Sequence, residues 1–359
     1  MNPGEATRRL RELIGTRWPI VQAPMAGVQG HALAAAAGAA GALGSLPGAM
    51  LSPAALAAEV RAACALGDWP LNLNFFCHAT PAADRARDTA WRAALAPYLA
   101  EAGLPNPDEA PAAAARRPFD DEACALVEAL RPRVVSFHFG LPPTALLARV
   151  KAAGAAVLAS ATSVEEARWL EAQGVDAVIA QGTEAGGHRG HFLPTSRLDT
   201  QPGLFALLPQ VVRAVCLPVL AAGGVMDAAG VRAAFALGAA GVQCGSAFLR
   251  CPEATTPAMH RAALASARVH ETALTHLFTG RPARGIVNRL MRELGPLSPA
   301  APPFPTAGAR LAPLRVWAEA AGRDDFTPLW AGQHAAAALE APAAAVVAEL
   351  VRGLPSDEG

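Results

Sequence analysis

The residues best suited to chemistry lie on one short stretch, Gln181-Gly-Thr-Glu-Ala-Gly-Gly-His-Arg-Gly190. It follows the apolar run Asp176 to Ala180, which reads as a short buried strand. Two adjacent glycines, Gly186 and Gly187, let the backbone approach a ligand closely and adopt positive φ. His188 and Arg189 follow at once, so a titratable ring and a fixed charge share one loop. A plain connection needs one glycine and a helix cap. This one also carries Thr183, Glu184 and His191, which points to a ligand loop rather than a polar turn. His188, His191 and Glu184 have a loose metal-like spacing. The glycine-rich loop has no helix to aim them at one point, so no metal is expected.

Similar loops recur later. Gly223-Gly224 follows the apolar run Leu217 to Ala222, and Gly245-Ser246 follows Gly241 to Cys244. Such loops expose backbone N–H groups, and a following helix turns its positive end toward an anion. One such loop alone is only a tight turn. Three at strand ends point to a cofactor that carries a phosphate. Asn74, Gln181 and Gln243 stand near strand ends as well. Amides both donate and accept, which suits the edge of a flavin ring or its ribityl hydroxyls. His138 sits between Phe137 and Phe139. It reads equally well as a general base in an apolar wall or as a core histidine bonded to a carbonyl.

The elements that must position these groups follow a regular order. Apolar strands are expected at Pro19–Met25, Ala42–Leu46, Pro70–Phe76, Arg133–Gly140, Ala155–Ser160, Asp176–Ala180, Leu217–Ala222 and Gly241–Cys244. Helical segments separate them. Ser52-Pro53 starts one, Ser163 and Glu166 form a capping box for another, and Asp227 caps a third. Eight such units spell an α/β fold, a (β/α)8 TIM barrel. The rival, an open doubly wound sheet, lacks a G-x-G-x-x-G after the first strand. A helical excursion is expected at about 80–131, with a Pro-rich part from Leu104 to Pro118. The reading divides the chain into a barrel over 1–251 and a helical region over 252–359, packed across the barrel mouth.

Composition narrows the function class. The chain has 359 residues, with 30 basic and 30 acidic side chains, so no nucleic-acid surface is expected. The uncharged run Ala32 to Ala58 is broken by glycines and prolines and does not read as a membrane span. Six cysteines without a C-x-x-C pair, and an N-terminus rich in arginine, fit a cytoplasmic protein with reduced thiols. The helical excursions are candidates for lids or for interfaces in a homo-oligomer.

Taken together, these motifs resemble the nitronate monooxygenases, formerly called 2-nitropropane dioxygenases, most of all their class I branch. The resemblance runs from Pro19 to about Gln333. It is carried by Gln22-Ala-Pro-Met25, Asn72-Leu-Asn-Phe75, Val134 to Gly140, Gln181 to His188, Ala221-Ala-Gly-Gly224 and Gln243-Cys-Gly-Ser246. Gly280 to Gly285 and Leu329-Trp-Ala-Gly-Gln333 add to it. It implies non-covalent FMN and the oxidation of alkyl nitronates by O2 to carbonyl compound and nitrite. Propionate 3-nitronate and neutral nitroalkanes are the substrates to consider. The resemblance places the phosphate on Gly223, Gly224, Gly245 and Ser246. It places ring and ribityl contacts on Ala23, Pro24, Met25, Asn74, Gln181, Gly186, Gly187, Gln243 and Cys244. The catalytic histidine falls on His138. His188 and Arg284 or Arg189 are candidates to meet substrate, and Phe304 stands where a tyrosine is usual. Two other readings remain: an FMN-dependent NAD(P)H reductase of quinones or enoyl thioesters, and a non-flavin barrel for a phosphate ligand.

Overall fold

The computed structural model describes residues 2–82, 84–109 and 116–355. In chain order the strands are β1 (Ile20–Gln22), β2 (Gly44–Pro47), β3 (Leu71–Phe76), β4 (Val134–His138), β5 (Ala156–Ala161) and β6 (Ala177–Gln181). Then come β7 (Gly187–His188), β8 (Val219–Ala222), β9 (Gly241–Cys244), β10 (Thr272–Thr275) and β11 (Ala283–Ile286). Eight of them form one parallel sheet in the order β1-β9-β8-β6-β5-β4-β3-β2. A parallel bridge between Val21 and Leu43 joins its two ends, so the expected barrel is present. The barrel strands are near-continuous apolar runs because both faces are buried, one by the barrel interior and one by helices. Leu73, Val135, Val157, Val178, Val219 and Val242 are all nearly or fully buried.

Helix caps follow local chemistry. The Ser52 hydroxyl accepts from Ala55 N–H at 3.2 Å and starts the helix Pro53–Leu66. Asp227 accepts from Gly230 N–H at 2.8 Å and starts Ala228–Ala236. Ser163 accepts from Glu166 N–H at 3.1 Å, but the reciprocal half of the expected capping box differs. The Glu166 carboxylate is fully buried and reaches past Ser163 to Thr162 N–H, and it also accepts from Phe192 N–H and the Ser196 hydroxyl. These extra donors outweigh one cap bond, and they pin the loop that follows β7.

The excursion between β3 and β4 holds two helices, Arg85–Ala102 and Asp121–Leu130. Part of its Pro-rich segment, 110–115, lies outside the described residues. The first of these helices packs on Ala307–Ala320. Trp91, Leu95 and Leu99 join Leu290, Leu314 and Phe326 in a second apolar core. Each aliphatic side chain buried there contributes roughly 1.5–3 kcal/mol. Arg310 grips Asp88 with two nitrogens, and Trp91 Nε1 donates to Ala307 O at 3.0 Å.

The region after residue 251 is not purely helical, and it does not act as one layer. β10 and β11 form an antiparallel pair that takes β7 as its third strand. The last helix, Ala343–Val351, buries Val346, Val347 and Leu350 in the main barrel core, so it belongs to the barrel's outer ring. The middle part carries the second core. Helical periodicity alone did not separate these three roles. No helix among the described residues is long and apolar enough to cross a membrane. All six cysteines are free.

Candidate active site

The C-terminal ends of the barrel strands open into a cleft. Parallel pairing sets its floor. Phe76 lies opposite His138, Gln181 opposite Ala222, and Ala222 opposite Gln243. Ala23, Pro24, Met25, Asn74, His138, Gln181, Gly186, Gly187 and His188 all line the cleft. So do Gly223, Gly224, Gln243, Cys244, Gly245 and Ser246. The expected set is therefore brought together, apart from Phe304, Arg284 and Arg189.

One end of the cleft is built for an anion. Gly223 and Gly224 have φ of 120° and 70°, a backbone that glycine adopts readily. Among the described residues, no protein acceptor takes the N–H groups of Gly223, Gly224, Gly245 or Ser246. The Ser246 hydroxyl is engaged instead, accepting from Gly332 N–H at 2.9 Å. Gln333 N–H donates to Glu184 O at 3.0 Å, and His334 Nδ1 meets Gly224 O at 3.1 Å. The segment Leu329–Gln333 thus closes this end.

The middle of the cleft offers amide groups. Gln243 Oε1 is buried without a hydrogen-bond partner, which leaves an acceptor for an incoming donor. Asn74 Nδ2 is held by Ser136, at 3.0 Å from its hydroxyl. Gln181 is spent on the backbone: Nε2 donates to His188 O at 2.9 Å, and Oε1 accepts from Gly190 N–H at 2.8 Å. It positions β7 by these bonds. The unpaired amides and the orphaned Gln243 oxygen fit a phosphate ester joined to a polar, hydrogen-bonding ring.

The other end carries two histidines in different states. His138 Nε2 is 3.1 Å from His188 O, and a carbonyl can only accept, so Nε2 holds the proton. Nδ1 then accepts from the Ser160 hydroxyl at 3.0 Å. Burial, more than any other influence, pushes this ring down to about 3, and Arg281 adds to the effect. Both its nitrogens are taken, which leaves no lone pair open to the cleft. The role of proton acceptor, expected at His138, is therefore poorly served by this geometry.

His188 differs. Its Nε2 lies 3.0 Å from the Thr279 hydroxyl, which itself donates to Arg281 O at 3.2 Å. The hydroxyl proton being committed there, His188 Nε2 is the donor and Nδ1 keeps its lone pair. Nδ1 has no protein partner among the described residues, and the ring lines the cleft. Pairing of β7 with β11, His188 opposite Ala283, holds this ring on a strand rather than a free loop. Burial and then Arg116 hold the ring well below its ordinary value, so it is neutral.

The two arginines expected near substrate face elsewhere. Arg189 is fully buried and gives its guanidinium to Gln201 Oε1, Gly182 O and Gln181 O. Arg284 donates to Thr183 O at 2.8 Å and to Thr272. Both tie backbone segments together through these carbonyls. Phe304 sits one layer behind the cleft, its ring 5.6 Å from His188 and 4.7 Å from His78. Residues that the sequence did not single out also line the cleft, among them Arg116, Ser136, Ser160, Trp330 and His334. Ser136 and His138 alternate along β4, and that period of two was the available signal for the inward serine. Arg116 lies in an Ala/Pro-rich stretch that gives none.

Fold and cleft together define a (β/α)8 barrel enzyme whose cleft has a glycine-loop end facing a histidine end. The chain belongs to the nitronate monooxygenase family, whose family model matches residues 7–353. It is 44% identical over 352 residues to a nitronate monooxygenase of Pseudomonas aeruginosa, covering 97% of this chain and 99% of that one. It is 42% identical over 349 residues to a nitronate monooxygenase of Paraburkholderia phytofirmans, covering 97% and 95%. A solved nitroalkane oxidase from Streptomyces ansochromogenes matches with a TM-score of 0.87 and 39% identity, over 96% of this chain and 98% of that one. FabK from Thermotoga maritima, 24% identical with a TM-score of 0.71, shares the fold over 96% and 95%.

Proposed function

We propose that the protein binds FMN in this cleft and oxidises alkyl nitronates with O2 to a carbonyl compound and nitrite. The observation that carries the reading is the juxtaposition in one cleft of four unpaired loop amides, an orphaned amide oxygen and a neutral histidine with a free lone pair. Bound there, FMN would supply the redox chemistry, accepting an electron from the nitronate and passing it to O2. The amides of Gly223, Gly224, Gly245 and Ser246 would hold its phosphate. Gln243 Oε1 and Asn74 would meet the ring's polar edge, with Ala23, Pro24 and Met25 as the adjoining wall. Gly186, Gly187 and Cys244 supply backbone at close range. Gln181 acts through β7, which it fastens in place.

A nitronate is already deprotonated and asks for no base. A neutral nitroalkane must first give up its α-proton. His188 Nδ1 is the acceptor this geometry favours, and the resulting imidazolium would keep Nε2–H on Thr279. His138, donating to His188 O, then serves as a positioning residue. His188→Asn is expected to lower kcat/KM for nitroethane by about 10²- to 10⁴-fold, far more than for ethylnitronate. Steady-state assays of both substrates with His188→Asn and His138→Asn test this. If the selective loss followed His138→Asn instead, the proton acceptor would be His138.

A further inference from the structure

Among the described residues, the lining of the cleft contains no aspartate or glutamate and a single arginine, Arg116. Among the described residues, no carboxylate lies within ion-pairing distance of its guanidinium. Partial burial, and then Arg315, press that guanidinium below its ordinary value. Its segment is tied to one side of the cleft and faces the histidines. It precedes Phe119, whose N–H donates to Phe76 O at 2.8 Å, so its segment is stitched to the end of β3. After burial, Arg116 is the largest influence lowering His188 across the cleft, and it also acts on His78. The charge therefore stands at the histidine end, away from the glycine loops. The other arginines nearby do not compete. Arg189 is engaged by Gln201 and two backbone carbonyls, Arg284 by Thr183 and Thr272, and Arg281, which stacks over Phe139 at 3.9 Å and donates to His191 O, does not line the cleft.

A half-buried cation without a carboxylate partner among the described residues costs free energy that a negatively charged ligand would recover. We infer that Arg116 is a specificity-determining residue that binds a second anionic group, a carboxylate above all, carried by the nitronate at the end remote from its reacting carbon. This rests on the function proposed above. No bond is made or broken at Arg116; it selects among substrates and orients the long axis of the one it holds.

Two nitronates of matched length separate the carboxylate from everything else: propionate 3-nitronate and the nitronate of 1-nitrobutane. The measured quantity is the ratio of their kcat/KM values with the FMN-loaded protein. Arg116→Met is expected to lower the acidic-over-neutral ratio by about 10- to 100-fold, and Arg116→Lys is expected to recover part of it. A ratio unchanged by Arg116→Met would overturn the assignment. Binding of succinate, followed by equilibrium dialysis, gives a readout independent of turnover. Its Kd is expected to rise in Arg116→Met by a comparable factor, and an equal Kd would also overturn the assignment. Should the parent turn over neither nitronate, the proposed function fails, while the succinate comparison still decides the role of Arg116.

Discussion

Gly186→Val is expected to give a folded protein that no longer retains FMN. A Cβ at Gly186 would lie 2.6 Å from Gly332 N and 2.7 Å from Ala331 C. Both are backbone atoms, so no side chain can swing aside. The segment Leu329–Gln333 must move, and with it the bonds from Gly332 N–H to Ser246 and from Gln333 N–H to Glu184 O. Overpacking of this kind costs about 1–3 kcal/mol, and each lost hydrogen bond about 1 kcal/mol more. Because the segment closes the anion-binding end, the displacement falls on the phosphate site and not on the barrel core. A loss of about 10²- to 10³-fold in FMN affinity follows from these sums. Fluorescence titration of the apoprotein with FMN measures it. Retention of FMN as tight as the parent's would mean that the closing segment takes no part in holding the cofactor.

The second large effect concerns acid. Burial, more than any other influence, pushes His78, His191 and His260 down to about 4 and His138 down to about 3. Unfolded histidine titrates near 6.5. The folded values lie below the unfolded one, so as pH falls the unfolded chain takes up protons first. The stability is fully present above about 6.5 and is lost as pH falls from there toward 4. Each histidine in this state removes about 1.4 kcal/mol per pH unit, and four together remove roughly 5 kcal/mol per pH unit. Domains are commonly stable by only about 5–15 kcal/mol. Cooperative unfolding is therefore expected between about pH 4 and 5.5. Urea unfolding at pH 7.5, 6.0 and 5.0 checks the slope. Equal stability at 7.5 and 5.0 would mean that these rings gain protons in the folded state after all.

The barrel was legible because its strands are buried on both faces and punctuated by glycine, as at Ala222-Gly-Gly224 and Cys244-Gly245. Those same glycines marked the end of the cleft where, among the described residues, four loop N–H groups have no protein acceptor. The small sheet was not legible. β7 is two residues long, its partner β11 lies nearly a hundred residues on, and Ala283-Arg-Gly-Ile286 shows no alternation that marks a strand. The last helix was assigned to the mouth because its sequence says that it has an apolar face, not which surface that face meets. His138 and His188 both stand at strand ends, and residue order cannot tell which ring nitrogen is open. That depends on Ser160, Thr279 and the carbonyl of His188, contacts that only the folded chain brings together. Arg189 and Arg284 looked like ligand groups because they are charged and close to glycines. Burial turned them into backbone clamps.

The central claim is nitronate oxidation by O2 in the glycine- and histidine-lined cleft. Mixing the FMN-loaded protein with ethylnitronate in air, while recording O2 uptake and nitrite release together, tests it most directly. Catalytic O2 consumption accompanied by nitrite is expected, with no requirement for NADH or NADPH. O2 uptake and nitrite release that stay at the level of ethylnitronate alone, alongside rapid oxidation of NADPH by the same protein, would contradict it.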